Sequence, residues 1–345
     1  MRTARVFAAA CAVVCLAWVA GVSAQAPVVH VVRPGETLAS IADNYYGDPR
    51  QESILVAENG LTSEGGSAIV VGLRLTIPTV TFHKVAEGES WTSLATEFYG
   101  DPARAFVLIE NNRGEPGGQP DIGAEIVVPY PLRHVAGQSD TPAKIAKLYY
   151  GSDKTGLATL RRFNAMGPRV QRGEIVLVPL ADLRLTKQAR QALSDAGQEP
   201  PPEGQVRDKQ AQIDDILPVL REQVREGRYV DAVQTVNQLL GAGDLTASQT
   251  ITLQRELATA LVALDRPDLA RDAFMSLLAQ QPDYELDGVT TSPTVLRVFR
   301  AAQQGARNLI EAAEQETAGA AKKSKKSPSR AASKTAKRPR SAKKK

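Results

Sequence analysis

A chain of 345 residues is long enough for two or more domains with separate cores. Its net charge of +4 hides a division: 12 of the 42 Lys and Arg fall between residues 321 and 345, which hold no Asp or Glu, and two more stand at the start, so that 28 bases face all 38 acids in residues 25 to 320. Both cysteines, Cys11 and Cys15, lie in the opening segment, which excludes disulfides, thiolate metal sites and cysteine catalysis from residues 25 to 345.

The chain begins with Arg2 and Arg5, runs without charge from Val6 to Val22 and reaches the small residues Val22-Ser23-Ala24. This layout predicts a secretory signal peptide over residues 1–24, cleaved after Ala24, and an exported protein of the periplasm or cell envelope. An uncleaved anchor is the alternative, because the apolar run sits at the lower edge of a membrane span. Neither cysteine stands in a good lipoprotein context.

Next comes a phrase repeated three times: Tyr45-Tyr46-Gly47-Asp48-Pro49, Phe98-Tyr99-Gly100-Asp101-Pro102 and, more weakly, Tyr149-Tyr150-Gly151-Ser152-Asp153. The copies align without gaps from His30, His83 and His134, the only histidines of the chain. Asn59, Asn112 and Asn164 correspond, and each copy closes with a glycine and a proline: Gly72 and Pro78, Gly123 and Pro129, Gly173 and Pro179. Each reads as strand, helix, helix, strand. Leu38, Ile41, Ala42 and Tyr45 have helical spacing, as do Trp91, Leu94, Ala95 and Phe98. Thr37, Ser90 and Thr141 are N-cap candidates. The repeated phrase is expected to be a hinge, with Gly47 ending one helix in the left-handed conformation, Asp48 capping the next and Pro49 preset for its first turn. The third copy has no counterpart of Pro49, so Ser152 is its expected cap and its hinge is expected to be looser.

Each copy resembles a LysM domain. The first carries Gly35-Glu36-Thr37-Leu38, Ile41-Ala42, Asn59 and Gly72-Leu73-Arg74-Leu75-Thr76-Ile77-Pro78; the second keeps Gly88-Glu89-Ser90-Trp91 and Asn112; the third departs at Ser139 and Pro142. The resemblance implies three tandem βααβ LysM modules at residues 29–79, 81–131 and 132–181. It implies binding of peptidoglycan or another glycan containing N-acetylglucosamine, in a shallow groove between the turn after the first strand and the loop after the second helix. In the first copy that groove would use Glu36, Thr37, Leu38, Asn59, Gly60, Leu61 and Ile69; in the second, Glu89, Ser90, Trp91 and Asn112. Simpler readings stand beside these. Trp91 is also a candidate core or edge residue, Asn59 and Asn112 candidate helix caps, and Glu36 and Glu89 candidate capping residues, with no partner carboxylate arranged for glycosidase chemistry. The histidines lie in separate small units, which argues against a shared metal. Neither catalysis nor a cofactor is expected.

Residues 182–208, with Pro200-Pro201-Pro202-Glu203-Gly204, read as a linker after a short helix over 182–195. Residues 209–312 read as an all-α domain. Ile213, Ile216, Leu217, Leu220 and Val224 share a helical face on which Pro218 should mark a kink or the true start, and Val230, Val233, Val236 and Leu239 follow on a second helix. Leu253, Leu257, Leu261 and Leu264 make a third, and Leu269, Ala270, Phe274 and Leu277 a fourth, with a final helix expected over 290–303. Ala270, Phe274, Leu277 and Pro282, with Arg228-Tyr229-Val230-Asp231-Ala232, resemble tetratricopeptide positions; a plain helical bundle is the alternative. The fold class expected is α+β, with three βααβ modules followed by an all-α TPR-like repeat domain and a disordered basic tail over 313–345.

The function expected is that of an exported, non-catalytic cell-wall-binding protein, anchored to peptidoglycan and presenting its helical domain to an envelope protein. The alternative is an activator or accessory subunit of a murein hydrolase or envelope machine. The tail is expected to meet anionic envelope polymers rather than nucleic acid, because the signal peptide directs the chain out of the cytoplasm.

Overall fold

A computed structural model describes residues 27–61, 69–151 and 154–324. The expected signal peptide and residues 325–345 of the expected tail lie outside them. Among the described residues, three two-stranded sheets and twelve α-helices divide between two compact units. Of the described residues, one unit takes those up to Thr81 and again from Val128 to Glu203; the other takes Phe82 to Val127 and those from Gly204 on.

The first unit starts with β1 (Val28–Val31), α1 (Leu38–Tyr46), α2 (Glu52–Glu58) and β2 (Arg74–Ile77). The strands are antiparallel, Val28 opposite Ile77 and Val31 opposite Arg74. Their inward residues Val28, Leu75 and Ile77 close on Leu38, Ile41, Ala42, Tyr45 and Leu55 of the helices. Local chemistry sets the helix ends. Thr37 and Ser40 form a reciprocal capping box, and Gly47 at φ 76° donates its amide to the Asp43 carbonyl. Asp48 then accepts from the Arg50 amide and opens a single 3-10 turn, Pro49–Gln51, that leads into α2.

The same unit holds β5 (Tyr130–Val135), α5 (Pro142–Tyr150), α6 (Lys154–Phe163) and β6 (Ile175–Leu180), again with antiparallel strands. Thr141 caps α5, with Pro142 in the first helical turn. Gly151 has φ 77° but ψ −139°, so the chain leaves this helix on a course unlike that at Gly47. The expected cap Ser152 lies outside the described residues. Tyr130 donates to Glu58 at 2.7 Å, fastening β5 to α2. Helix α7 (Lys187–Asp195), within the short helix expected over 182–195, inserts Ala189 and Leu193 into the core beneath α1. Its cap Thr186 donates its amide to the Tyr45 carbonyl and its hydroxyl to that of Asn44.

The second unit contains β3 (Thr81–Lys84), α3 (Trp91–Tyr99), α4 (Ala105–Asn111) and β4 (Glu125–Val128), with the division running through the outer ends of both strands. Ser90 with Ser93, Gly100 and Asp101 repeat the capping and hinge contacts of the first segment. Five helices follow: α8 (Gln205–Arg225), α9 (Tyr229–Ala242), α10 (Ala247–Ala263), α11 (Pro267–Gln280) and α12 (Pro293–Ser324). Helix α8 starts inside the expected linker and runs through Pro218, which therefore does not mark its start. Leu217, Leu220, Ala232, Val236, Leu253 and Ala260 pack α8, α9 and α10 together. Phe274 and Phe299 meet edge to face at 5.1 Å between α11 and α12. Helix α12 extends well beyond the expected end at residue 303 and replaces disorder with helix over 313–324. The Ala, Glu and Gln of that stretch have high helix propensity, which outweighs its want of apolar anchors.

Candidate functional site

The turn after β1 is held by a small polar cluster. Glu36 Oε2 accepts from the Arg33 amide at 2.7 Å and lies 2.8 Å from His30 Nε2. An ionised carboxylate can only accept, so Nε2 carries the hydrogen of that contact, and in the neutral ring Nδ1 accepts from the Tyr45 hydroxyl 3.2 Å away. The imidazole stands edge-on to the Tyr45 ring at 5.5 Å. Burial would push the Glu36 carboxyl up, but the Arg33 amide, the His30 contact and the nearby positive charge outweigh it and hold the group below its ordinary value.

The cluster recurs. Glu89 accepts from the Ala86 amide at 2.7 Å and meets His83 Nε2 at 2.8 Å; Asp140 accepts from the Gly137 amide at 2.7 Å and meets His134 Nε2 at 3.2 Å. Tyr149 stands behind His134 as Tyr45 does behind His30, with its hydroxyl 2.9 Å from Nδ1. Behind His83 the ring is Phe98, which has no hydroxyl. Asp140 is held low like Glu36, burial being opposed by the Gly137 amide and His134. Sequence reasoning noted the threefold histidine without finding its partner, although an acid six positions on was the available signal in every copy.

The expected groove residues divide by role. Glu36 and Glu89 brace their turns, and Thr37 and Ser90 cap α1 and α3. Leu38 is buried, with Leu61 and Ile69 packed at the margin of the same core, so residues of the turn and of the loop after α2 share one core. Residues 62–68 between them lie outside the described residues. Asn59 spends its amide on the fold: Nδ2 donates to the carbonyls of Leu55 and Thr76, and Oδ1 accepts from the Thr76 amide at 2.7 Å. Asn112 bridges Leu108 and Val127 in the same way, and Asn164 bridges Leu160 and Leu177. These asparagines tie the second helix of each segment to its closing strand. Gly60 follows with φ 61°, and at the matching place Arg113 takes φ 56°.

Trp91 is buried like Leu38, but its Nε1 hydrogen has no acceptor among the described residues. Gly114 sits against this ring so closely that an added Cβ would lie 3.0 Å from Cζ2. The loop after α4 is also engaged by the helices of its own unit. Arg207 donates to the Asn111 carbonyl at 2.9 Å, the Ala247 amide donates to Ile122 at 2.9 Å, and Asp121 accepts from the Ser248 amide and hydroxyl. Nothing in the sequence signalled this engagement.

A LysM domain is recognised at residues 30–78, the span from His30 to Pro78 that contains the first turn, Asn59 and both strands of the first sheet but for two residues of β1. Two curated relatives, Esterase MT1326 and Esterase Rv1288 of two Mycobacterium tuberculosis strains, are each 28% identical to this chain over 122 residues. That match covers 35% of this chain and 26% of each relative, so the chain spans about a quarter of the length of the relatives it matches. The chain thus has a mixed α and β architecture, with a LysM domain near its start and a largely helical region after it. LysM domains are typical of extracellular and cell-envelope proteins, and this one supports a peptidoglycan- or glycan-binding role.

Proposed function

We propose that this protein is an exported, non-catalytic anchor that holds peptidoglycan through three LysM-like modules and offers its helical region to an envelope protein. The observation that carries the reading is the recurrence, in all three segments, of one set of contacts: a histidine and acid bracing the turn, and an asparagine joining the second helix to the closing strand. Recurrence of side-chain roles, beyond that of strand and helix order, supports extending the assignment from residues 30–78 to the two later segments. The relatives' 122-residue match, longer than that span, agrees with a shared region larger than one domain.

A neutral sugar suits such a site. Backbone amides and a few oxygens orient the acetamido group, while the half-buried Leu61 and Ile69, seated on the core that contains Leu38, provide an apolar wall for its methyl. Glu36 and Glu89 are engaged by a histidine and a backbone amide, which favours bracing over acid catalysis. The esterase activity in the relatives' names is not carried over, since about three quarters of each relative lies beyond the match. Several weak sites on one chain raise the effective concentration at the second and third, so avidity can exceed the affinity of any one.

Sedimentation of the whole chain with purified peptidoglycan, in salt high enough to screen the basic tail, tests the proposal. Retention that free N-acetylglucosamine oligomers displace supports it. Retention that vanishes with salt would replace it with a charge-driven association. An accessory role beside a murein hydrolase remains the second reading, favoured by the extent of the helical surface; crosslinking from intact cells would identify that partner.

A further inference from the structure

We propose that His30 is a positioning residue for glycan binding, shaping the turn that borders the groove by directing the Glu36 carboxylate onto the Arg33 amide. The inference rests on the glycan-binding reading above. Among the described residues the contacts form one chain from the end of α1 to the turn: Tyr45 hydroxyl, His30 Nδ1, His30 Nε2, Glu36 Oε2 and the Arg33 amide, at 3.2, 2.8 and 2.7 Å in order. The next residues are Thr37, which caps α1, and Leu38, a member of the core against which Leu61 and Ile69 pack. Both are placed by the backbone that the carboxylate holds. A phenylalanine in place of His30 would keep the edge-on packing with Tyr45 but leave Glu36 with the amide alone. Burial of His30 excludes a direct contact with sugar without opening the cluster, which makes it a group that acts through Glu36.

The groups that face the Glu36 carboxylate are His30 from β1, Tyr45 from α1 and Arg33 within the turn. Removal of the imidazole therefore deletes the side-chain donor, leaves the Arg33 amide, and lets the Glu36 carboxyl return toward its ordinary value. The acid limb of glycan binding then moves to higher pH.

The experiment titrates the whole chain with N-acetylglucosamine oligomers by calorimetry from pH 7 downward, comparing the natural protein with His30→Phe, His30→Gln and Glu36→Gln. Circular dichroism first verifies that each is folded. His30→Phe is expected to bind about tenfold more weakly at neutral pH, about the worth of one hydrogen bond to a charged group, and to lose binding at a higher pH. His30→Gln, whose amide nitrogen can stand near Nε2, should recover most of the affinity. A folded His30→Phe with natural affinity and an unmoved acid limb overturns the inference. If that variant does not fold, Glu36→Gln decides: natural affinity there overturns it equally, and a loss supports it. Absence of binding by the natural chain would instead refute the glycan-binding reading.

Discussion

Gln210 of α8 accepts the Glu125 amide at 3.0 Å, so a helix of the second half meets a strand of the second segment through one neutral side chain. Its Nε2 donates to the carbonyls of Gly123 and Asp244, each at 2.9 Å, and its own carbonyl accepts from Gln249. The residue is buried, and so is Gln249. Removal of the Gln210 amide strands one donor and two acceptors where water has little access, at about 1–3 kcal/mol for an unsatisfied group. Gln210→Ala is expected to lower the stability of the unit that contains it by about 2–4 kcal/mol, read from the urea midpoint with unchanged slope. A loss below about 0.5 kcal/mol, the range of ordinary surface changes, would mean that this contact is not formed in solution.

Asn59 makes three hydrogen bonds to two backbone positions, in a place where a sugar contact was also expected. Asn59→Ala should lower the melting temperature of the first unit through an orphaned amide on Thr76, at a cost of about 1–3 kcal/mol. Any effect on glycan binding should follow the loss of structure. If binding disappears while the melting curve stays in place, the asparagine is a direct ligand contact.

Glu36 and Asp140 have carboxyls held below their ordinary values in the folded chain. Their ionised forms therefore stabilise the fold fully above the unfolded pKa of about 4, and that contribution is lost as pH falls through the lower folded values. Circular dichroism should show a flat response from pH 7 to about 5 and a declining acid limb below it. Glu36→Gln together with Asp140→Asn should be less stable at neutral pH and less sensitive to acid. An identical acid limb in the double variant would show that other carboxylates govern it.

Trp18 lies in the expected signal peptide, so after cleavage Trp91 is the only indole. Its burial predicts emission shifted to the blue of free tryptophan, and its unpaired Nε1 makes that emission responsive to a new acceptor. N-acetylglucosamine oligomers are expected to change the intensity on the matured chain if the second segment binds them. Calorimetric binding without any change in emission would confine the ligand to other segments.

Signals that act within a few residues were readable in the sequence. Thr37, and Gly47 followed by Asp48, carry their own capping chemistry, and the structure places each in that role. Leu38, Leu61 and Ile69 could be gathered by resemblance because their segment folds around one small core. His30 and Glu36 were both noticed, but the strand and turn that bring them together had to be seen before they became a pair. The contacts of Gln210, Thr186 and Ala189 gave no local signal, although helices were expected around all three. Their partners lie far along the chain, and a neutral amide, a hydroxyl or an alanine is equally suited to a solvated helix. Of the span expected to be a disordered tail, 313–324 is helix: the lysines that follow dominate its composition, while its Ala, Glu and Gln favour helix.

The division of the chain has a consequence for how the protein is made. The backbone passes from one compact unit to the other at Thr81, returns at Val128 and leaves again at Glu203, so neither unit is a continuous piece. A chain emerging from its N-terminus has β1 to β2 first, yet that body gains Ala189 and Leu193 only after the whole second segment has already appeared. The second segment in turn waits for Gln210 and Ser248. Closing contacts over such separations costs loop entropy before any burial compensates, which slows folding relative to a row of independent beads. The early segments therefore spend an interval with unfilled faces, and a protease or chaperone acting in that interval meets surfaces the finished protein does not display.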